Sequence, residues 1–356
     1  MRDRFSKVLV VLMAFALLAS FGAGCAKKAE PAEPAAETPK SDIKTAMVTD
    51  VGGLGDKSFN DAAWAGLEKA KADIGVETKV LESKEMVDYE SNITQLADAG
   101  YNPIFTVGFL MQDAVAKMAK QYPDTSFASI DTFFDKPDAN LVGLLFKEQE
   151  AGYLAGVVAG LATKDTFDSR LNADNVVGFV GGMDIPPVER YEVGFVAGVK
   201  SVNPTAKVII LYAGKFDDQG KGKELGLSLI DQKADVLFAA AGQTGLGTIK
   251  ACQERGALFI GVDVDQFDSV TGSGDVMLTS AIKRVDEAVY NTVKQANDKT
   301  FAGGQNITFG LKEGGVGLAP FHDFDTKVTQ AIKDAVEKAK QDILSGSVTV
   351  PATRAK

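Results

Sequence analysis

From Lys44 onward, short apolar runs alternate with stretches in which apolar residues recur every three or four positions. The runs at Thr45–Thr49, Glu77–Leu81, Pro103–Val107, Ser126–Asp131 and Leu141–Leu145 predict strands. Helical patterns at Ala62–Asp73, Tyr89–Ala99 and Met111–Gln121 separate the first four. A second set opens with a long helical pattern, Glu148–Ala162, and repeats the alternation. Its strands are expected at Val176–Gly181, Val208–Leu211, Val236–Ala240 and Phe259–Val262, and its helices at Val188–Val202, Gly220–Gln232 and Gly247–Glu254. Such alternation predicts α/β units with parallel sheets covered by helices on both faces. Two similar units therefore stand in tandem. The break between them, near Gly143–Glu148, holds no flexible linker, so a hinge of short crossing strands is expected there. After a strand at Met277–Thr279, a helix at Lys283–Asn297, the glycine-rich Gly303–Leu318 and a last helix at Lys327–Ser345 supply enough chain to cross back between the units.

The first forty residues break this pattern. Arg2, Arg4 and Lys7 precede an apolar stretch, Val8–Phe21, too short to span a bilayer comfortably, which is the layout of an export signal. It ends in Gly22-Ala23-Gly24-Cys25, which resembles the lipobox of bacterial lipoproteins with Gly22 in place of the usual leucine. Cys25 is then the expected lipid attachment point; the alternative is an ordinary cleaved signal with an unrelated cysteine. Ala26–Ser41, rich in Ala, Glu, Pro and Lys and without apolar periodicity, predicts an extended tether.

Composition narrows the chemistry. At 356 residues, 45% hydrophobic and 24% charged, the chain is long enough for two domains with sizeable cores. A net charge of −10 argues against a nucleic-acid partner, which needs a basic face. One histidine and two cysteines leave little material for a metal site or a histidine-dependent triad, and no cofactor is expected. His322 reads as a surface or capping residue and Cys252 as a small buried one.

The remaining candidates sit in loops that follow strands, where α/β proteins bind ligands. The run Thr49-Asp50-Val51-Gly52-Gly53-Leu54-Gly55-Asp56-Lys57-Ser58-Phe59-Asn60 joins the first strand to the first helix. Phe59 suits stacking on a ring, and Asp50 and Asn60 suit its polar edge. Helix capping by Ser58 or Asn60, and a core place for Phe59, are the competing readings. Asp56 and Lys57 read as loop-surface residues. Asp131 and Asp263 each follow directly on an apolar strand and so belong near the crevice, whereas Asp184 and Asp217 read as loop or cap residues. The glycines do not have the dinucleotide-binding spacing, and no phosphate-binding loop of the Gly-x-x-x-x-Gly-Lys type occurs.

Taken together, Asp50-Val51-Gly52-Gly53 with Asp56-Lys57-Ser58-Phe59-Asn60, Gly181-Gly182-Met183-Asp184-Ile185-Pro186, Gly198-Val199-Lys200 and Gly261-Val262-Asp263-Val264-Asp265-Gln266 resemble the basic membrane protein family of bacterial solute-binding lipoproteins. The resemblance runs from about Lys44 to the last helix. It implies a type I periplasmic-binding-protein fold, two Rossmann-like lobes joined by three crossing strands. The expected division is a signal at 1–24, a tether at 25–42, one lobe from 43–145 with 279–308, and the other from 146–278 with 309–356. It further implies a monomeric, lipid-anchored, non-enzymatic receptor on the outer face of the membrane, binding a nucleoside of the adenosine, guanosine or inosine type for an ABC permease. By the same resemblance Asp50 and Asn60 meet the ligand, and Phe59 and Phe216 lie on opposite faces of the base. Asp131 reads a ring N–H, Asp263 grips ribose hydroxyls, Lys283 pairs with the sugar, and Gly242 and Thr244 lie near the ribose. A sugar or autoinducer receptor on the same fold, and an exported nucleoside hydrolase, are the alternatives.

Overall fold

In the computed structural model, which describes residues 41–355, the alternating pattern folds into two six-stranded sheets. Cys25, the export segment and nearly all of the tether lie outside the described residues. The first lobe contains β1 (Lys44–Thr49), α1 (Phe59–Ile74), β2 (Glu77–Leu81), α2 (Asp88–Asp98), β3 (Ile104–Val107), α3 (Gln112–Gln121), β4 (Phe127–Ile130) and β5 (Leu141–Phe146). The second opens with α4 (Glu148–Ala162), then β6 (Val176–Gly181), α5 (Pro186–Val202), β7 (Lys207–Tyr212), α6 (Gln219–Asp231) and β8 (Ala234–Ala240). It continues through α7 (Gln243–Arg255), β9 (Leu258–Asp263), the short α8 (Gln266–Ser269) and β10 (Met277–Lys283). The chain returns to the first lobe for α9 (Val285–Asn297) and β11 (Gln305–Phe309), and ends in the second with β12 (Val316–Leu318) and α10 (Gln330–Leu344).

The first sheet runs β11-β5-β4-β3-β1-β2, parallel throughout. The second runs β12-β10-β9-β8-β6-β7, with β12 antiparallel to β10. Three crossings, at Phe146–Glu148, Lys283–Val285 and Phe309–Val316, join the lobes, which is the type I periplasmic-binding-protein arrangement. One boundary differs from expectation. The second crossing falls after Lys283 and not at 279, because β10 pairs with β9 through Ile282 and keeps Lys283 as a strand end. Strands β11 and β12 lie within the glycine-rich stretch, where turn residues break the strand pattern.

Every residue of β3, β4, β6, β8 and β9 is buried, which is why these strands read as unbroken apolar runs. The edge strands β2 and β7 are half-buried. Helices α4 and α5 touch backbone to backbone through glycines. A Cβ on Gly156 would stand 2.2 Å from the Phe195 carbonyl oxygen, and one on Gly198 2.0 Å from that of Tyr153. No larger residue fits at that separation, so the stripe Gly152, Gly156, Gly160 faces Gly194 and Gly198. Among the described residues no helix is long and apolar enough to cross a membrane.

Candidate functional site

Strand order reverses beside the first strand of each sheet: β1 lies between β2 and β3, and β6 between β7 and β8. Such a switch point opens a crevice at the carboxyl ends of the strands. The two crevices face each other across one cavity lined from both lobes, the usual form of a small-molecule site. Asp50 and Gly108 bring the ends of β1 and β3 to its wall, and Ala240, Ala241 and Gly242 bring the end of β8.

Asp50 and Asp56 organise the first wall. Asp50 Oδ1 accepts from the Gly52 N–H at 2.9 Å and from Asn60 Nδ2 at 2.9 Å. Asp56 caps α1, its carboxylate accepting from the N–H groups of Ser58, Asn60 and Asp61 at 2.8–3.1 Å. Expected at the surface, Asp56 is 1% exposed and lines the cavity, because its cap bonds turn it inward. Burial pushes the carboxyls of both Asp50 and Asp56 up to about 6 despite these bonds. Asn60 Nδ2 also reaches Asp56 Oδ2 at 3.3 Å. With the amide nitrogen committed to two carboxylates, its orientation is determined and Oδ1 points elsewhere. That oxygen is buried and has no hydrogen-bond partner among the described residues.

Asp131, just past β4, and Asp263, the last residue of β9, hold similar places at the end of the fourth strand of each lobe, and both line the cavity. Both adopt left-handed backbone, with φ of 67° and 63°, a conformation uncommon outside glycine, asparagine and aspartate and concentrated at functional sites. Tyr191 donates its hydroxyl to Asp263 Oδ1 at 3.0 Å. Lys283 Nζ donates to Asp131 Oδ2 at 2.6 Å and meets Glu148 Oε1 at 2.9 Å, with the rings of Phe59 and Phe146 4.8 and 5.0 Å from it. Lys283 therefore pairs with the first lobe's carboxylate and not with Asp263. Burial pushes the carboxyl of Asp131 up to about 6 and that of Asp263 to about 7, outweighing the pull of Lys283 on each. Burial also works against the charge of Glu148, but Lys283 and Arg190 hold it below the usual carboxylate range. The buried Lys283 ammonium stays protonated because Asp131, Glu148 and Asp263 outweigh its desolvation. Asp131 Oδ1 is a second buried oxygen without a partner among the described residues.

Phe216 closes the second lobe's side. Its ring lies on Gly182, where a Cβ would come within 2.3 Å of Cδ1. Gly242, with φ of 55°, passes beneath it in the cavity wall. Thr244 does not line the cavity; its N–H donates to the Phe216 carbonyl at 3.0 Å and its hydroxyl to that of Lys215 at 3.1 Å, so it fastens the Phe216 loop. Across the cleft's lips, Gln243 Nε2 donates to the carbonyls of Gly52 and Leu54 at 2.8 and 3.3 Å. Gln266 Nε2 and Ser269 Oγ both reach the Lys57 carbonyl. The lobes thus stand closed. His322 bonds Asp265 Oδ2 at 2.6 Å and stacks on Phe267, away from the cavity wall. Asp184 pairs with Arg354 and Cys252 is buried.

Eight of the nine residues named from sequence for the ligand meet at this cavity. Tyr191, Glu148 and Arg190 were not among them. The spacing of Gly152, Gly156 and Gly160 was the available signal, since it marks a helix held close to a partner and so the surroundings of Glu148.

A model of PnrA-like ABC transporter substrate-binding proteins, the Bmp family, matches residues 43–354. The CD4+ T-cell-stimulating antigen of Listeria monocytogenes is 38% identical over 328 residues, covering 87% of this chain and 88% of that protein. A Lactococcus lactis subsp. cremoris protein, ABC transporter nucleoside-binding protein BmpA, is 36% identical, with coverage of 88% and 90%. Among solved structures, an ABC transporter solute-binding protein from Aeropyrum pernix superposes with a TM-score of 0.79 at 30% identity, covering 87% of this chain and 94% of that one.

Proposed function

The chain belongs to the PnrA-like family of ABC transporter substrate-binding proteins, and from that premise we propose that it captures a nucleoside, purines in preference, between its lobes. In this reading a lipid on Cys25 holds it at the outer face of the membrane, where the closed form delivers its ligand to a permease. The family is one of binding proteins, not enzymes, and the relative BmpA is named for nucleoside binding.

The observation that carries the reading is a cavity walled by Phe59 and Phe216 and lined by Asn60 and Asp131, each of which has a buried side-chain oxygen, Oδ1, without a partner among the described residues. A buried acceptor left without a donor costs about 1–3 kcal/mol. A ligand with N–H groups on the edge of a flat ring removes that cost twice, while each stacked aromatic face adds about 1–3 kcal/mol. Asp263, braced by Tyr191, is then the acceptor for vicinal hydroxyls. Gly242 leaves the backbone free to approach the sugar, and Thr244 acts from behind by holding the Phe216 loop.

Protein stripped of ligand by unfolding and refolding is the material for the test. Calorimetry with adenosine, guanosine and inosine is expected to show saturable binding by at least one, no binding of free ribose, and no release of free base on incubation. Ribose binding with all three nucleosides inert would replace the reading with a sugar receptor, and base release would make the chain a hydrolase.

A further inference from the structure

Arg190, Glu148, Lys283 and Asp131 form a line of alternating charge that starts outside the cavity and ends in its wall. Arg190 Nε donates to Glu148 Oε2 at 2.5 Å, Glu148 Oε1 meets Lys283 Nζ at 2.9 Å, and Lys283 Nζ donates to Asp131 Oδ2 at 2.6 Å. The side chains of Glu148, Lys283 and Asp131 are at most 4% exposed. In such a setting the effective dielectric is low and each charge depends on its neighbour. The two middle members stand at hinge crossings, for Glu148 opens α4 after the first and Lys283 ends β10 before the second. The line passes from the second lobe to the first at the Lys283–Asp131 bond. Neither Arg190 nor Glu148 lines the cavity. Ligand contact therefore does not account for them, and apolar residues of the same volume would often stabilise the fold as well or better.

We propose that Glu148 and Arg190 are positioning residues for ligand capture: they hold the Lys283 ammonium where it orders Asp131, so that Asp131 Oδ1 is the acceptor presented to the ligand. The inference takes its ligand from the nucleoside reading above. Arg190 satisfies one oxygen of Glu148 and leaves the other for Lys283. Without Arg190, Glu148 draws Lys283 toward itself, and Asp131, less neutralised, holds its proton to higher pH. The other charged groups that face Asp131 are Asp50 from β1 and Asp263 from β9, both anionic when ionised, and neither contacts Arg190.

The test compares the full chain, freed of ligand by refolding, with its Arg190→Met, Arg190→Lys and Glu148→Gln variants. Carbon-13 carboxyl signals, with Asp131 assigned through Asp131→Asn, are followed over roughly pH 4 to 9 without ligand. Affinity for adenosine, guanosine and inosine is measured by calorimetry near neutral pH. Arg190→Met is expected to raise the Asp131 midpoint by about half a pH unit or more and to weaken nucleoside binding about tenfold, a coupling usual within one ion-pair network. Arg190→Lys, which keeps the charge, restores most of both. An unmoved midpoint in folded Arg190→Met overturns the inference, and so does a moved midpoint with unchanged affinity. Should wild-type protein bind none of the three nucleosides, the ligand reading alone fails and the midpoint decides the positioning role. If Arg190→Met does not fold, Glu148→Gln decides, since loss of its negative charge lowers the Asp131 midpoint and an unchanged value overturns the inference.

Discussion

Asp263 shows what a buried carboxylate costs the fold. Burial lifts its pKa from about 3.9 in an unfolded chain to about 7. Between those pH values the folded protein holds a proton that the unfolded chain has released, so stability falls as pH rises through the window. Asp50 and Asp56, each at about 6, act in the same direction over a narrower range. Glu148, held low, acts oppositely, contributing stability that is lost as pH falls through its folded pKa. Asp263→Asn keeps an oxygen for Tyr191 and tolerates the left-handed backbone. In ligand-free protein it is expected to raise stability near pH 8 by about 1–3 kcal/mol and to change it little near pH 5, where the aspartate is already neutral. Thermal unfolding at the two pH values measures this; an equal shift at both would mean that ionisation is not the cause.

Between elements, the α4–α5 contact decides where Glu148 and Arg190 meet. Its glycines are at the limit of approach, so Gly198→Ala, whose Cβ would stand 2.0 Å from the Tyr153 carbonyl oxygen, must push the helices apart. A loss of about 1–3 kcal/mol in urea unfolding is expected, with weaker ligand binding as Arg190 moves from Glu148. Gly245→Ala in α7, where the nearest atoms lie at an ordinary 3.7 Å, is the contrasting case. Relief of glycine's backbone entropy there is expected to leave stability unchanged or raise it by about 0.5–1 kcal/mol. Equal losses for the two variants would show that space between backbones is not what the α4 and α5 glycines provide.

For the molecule as a whole, closure is recorded in hydrogen bonds between the lips whose donor residues lie outside the cavity wall. Gln243 reaches two carbonyls of the opposite lobe, and Gln266 and Ser269 share a third. Hydrogen bonds of this kind are worth about 0.5–1.5 kcal/mol each. Gln243→Ala is therefore expected to weaken every nucleoside by about 5- to 150-fold while leaving their order of preference unchanged. Calorimetry with the three nucleosides reads both quantities, and an altered order would place Gln243 at the ligand itself.

What the sequence by itself determined is local and periodic. The alternation of apolar runs predicted the two α/β units because burial on both faces imposes it, and β2, α4 and β6 begin and end where the pattern does. Asp50, Asp131 and Asp263 were legible as cleft residues because each closes an apolar run, at or just past a strand end, and strand ends converge on one edge of a parallel sheet. Whether the residues named from family likeness share one cavity needed the three-dimensional arrangement, and Thr244 came to lie behind the wall and not in it. Tertiary structure alone decided that Lys283 ends a strand and bonds Asp131, 152 positions away, and that Arg190 reaches Glu148 across 42. It also decided that Asp56, polar and in a glycine loop, is buried. Distance between segments remote in sequence, and the exclusion of water once two lobes meet, are properties of the folded pair of lobes, and no stretch of chain carries them alone.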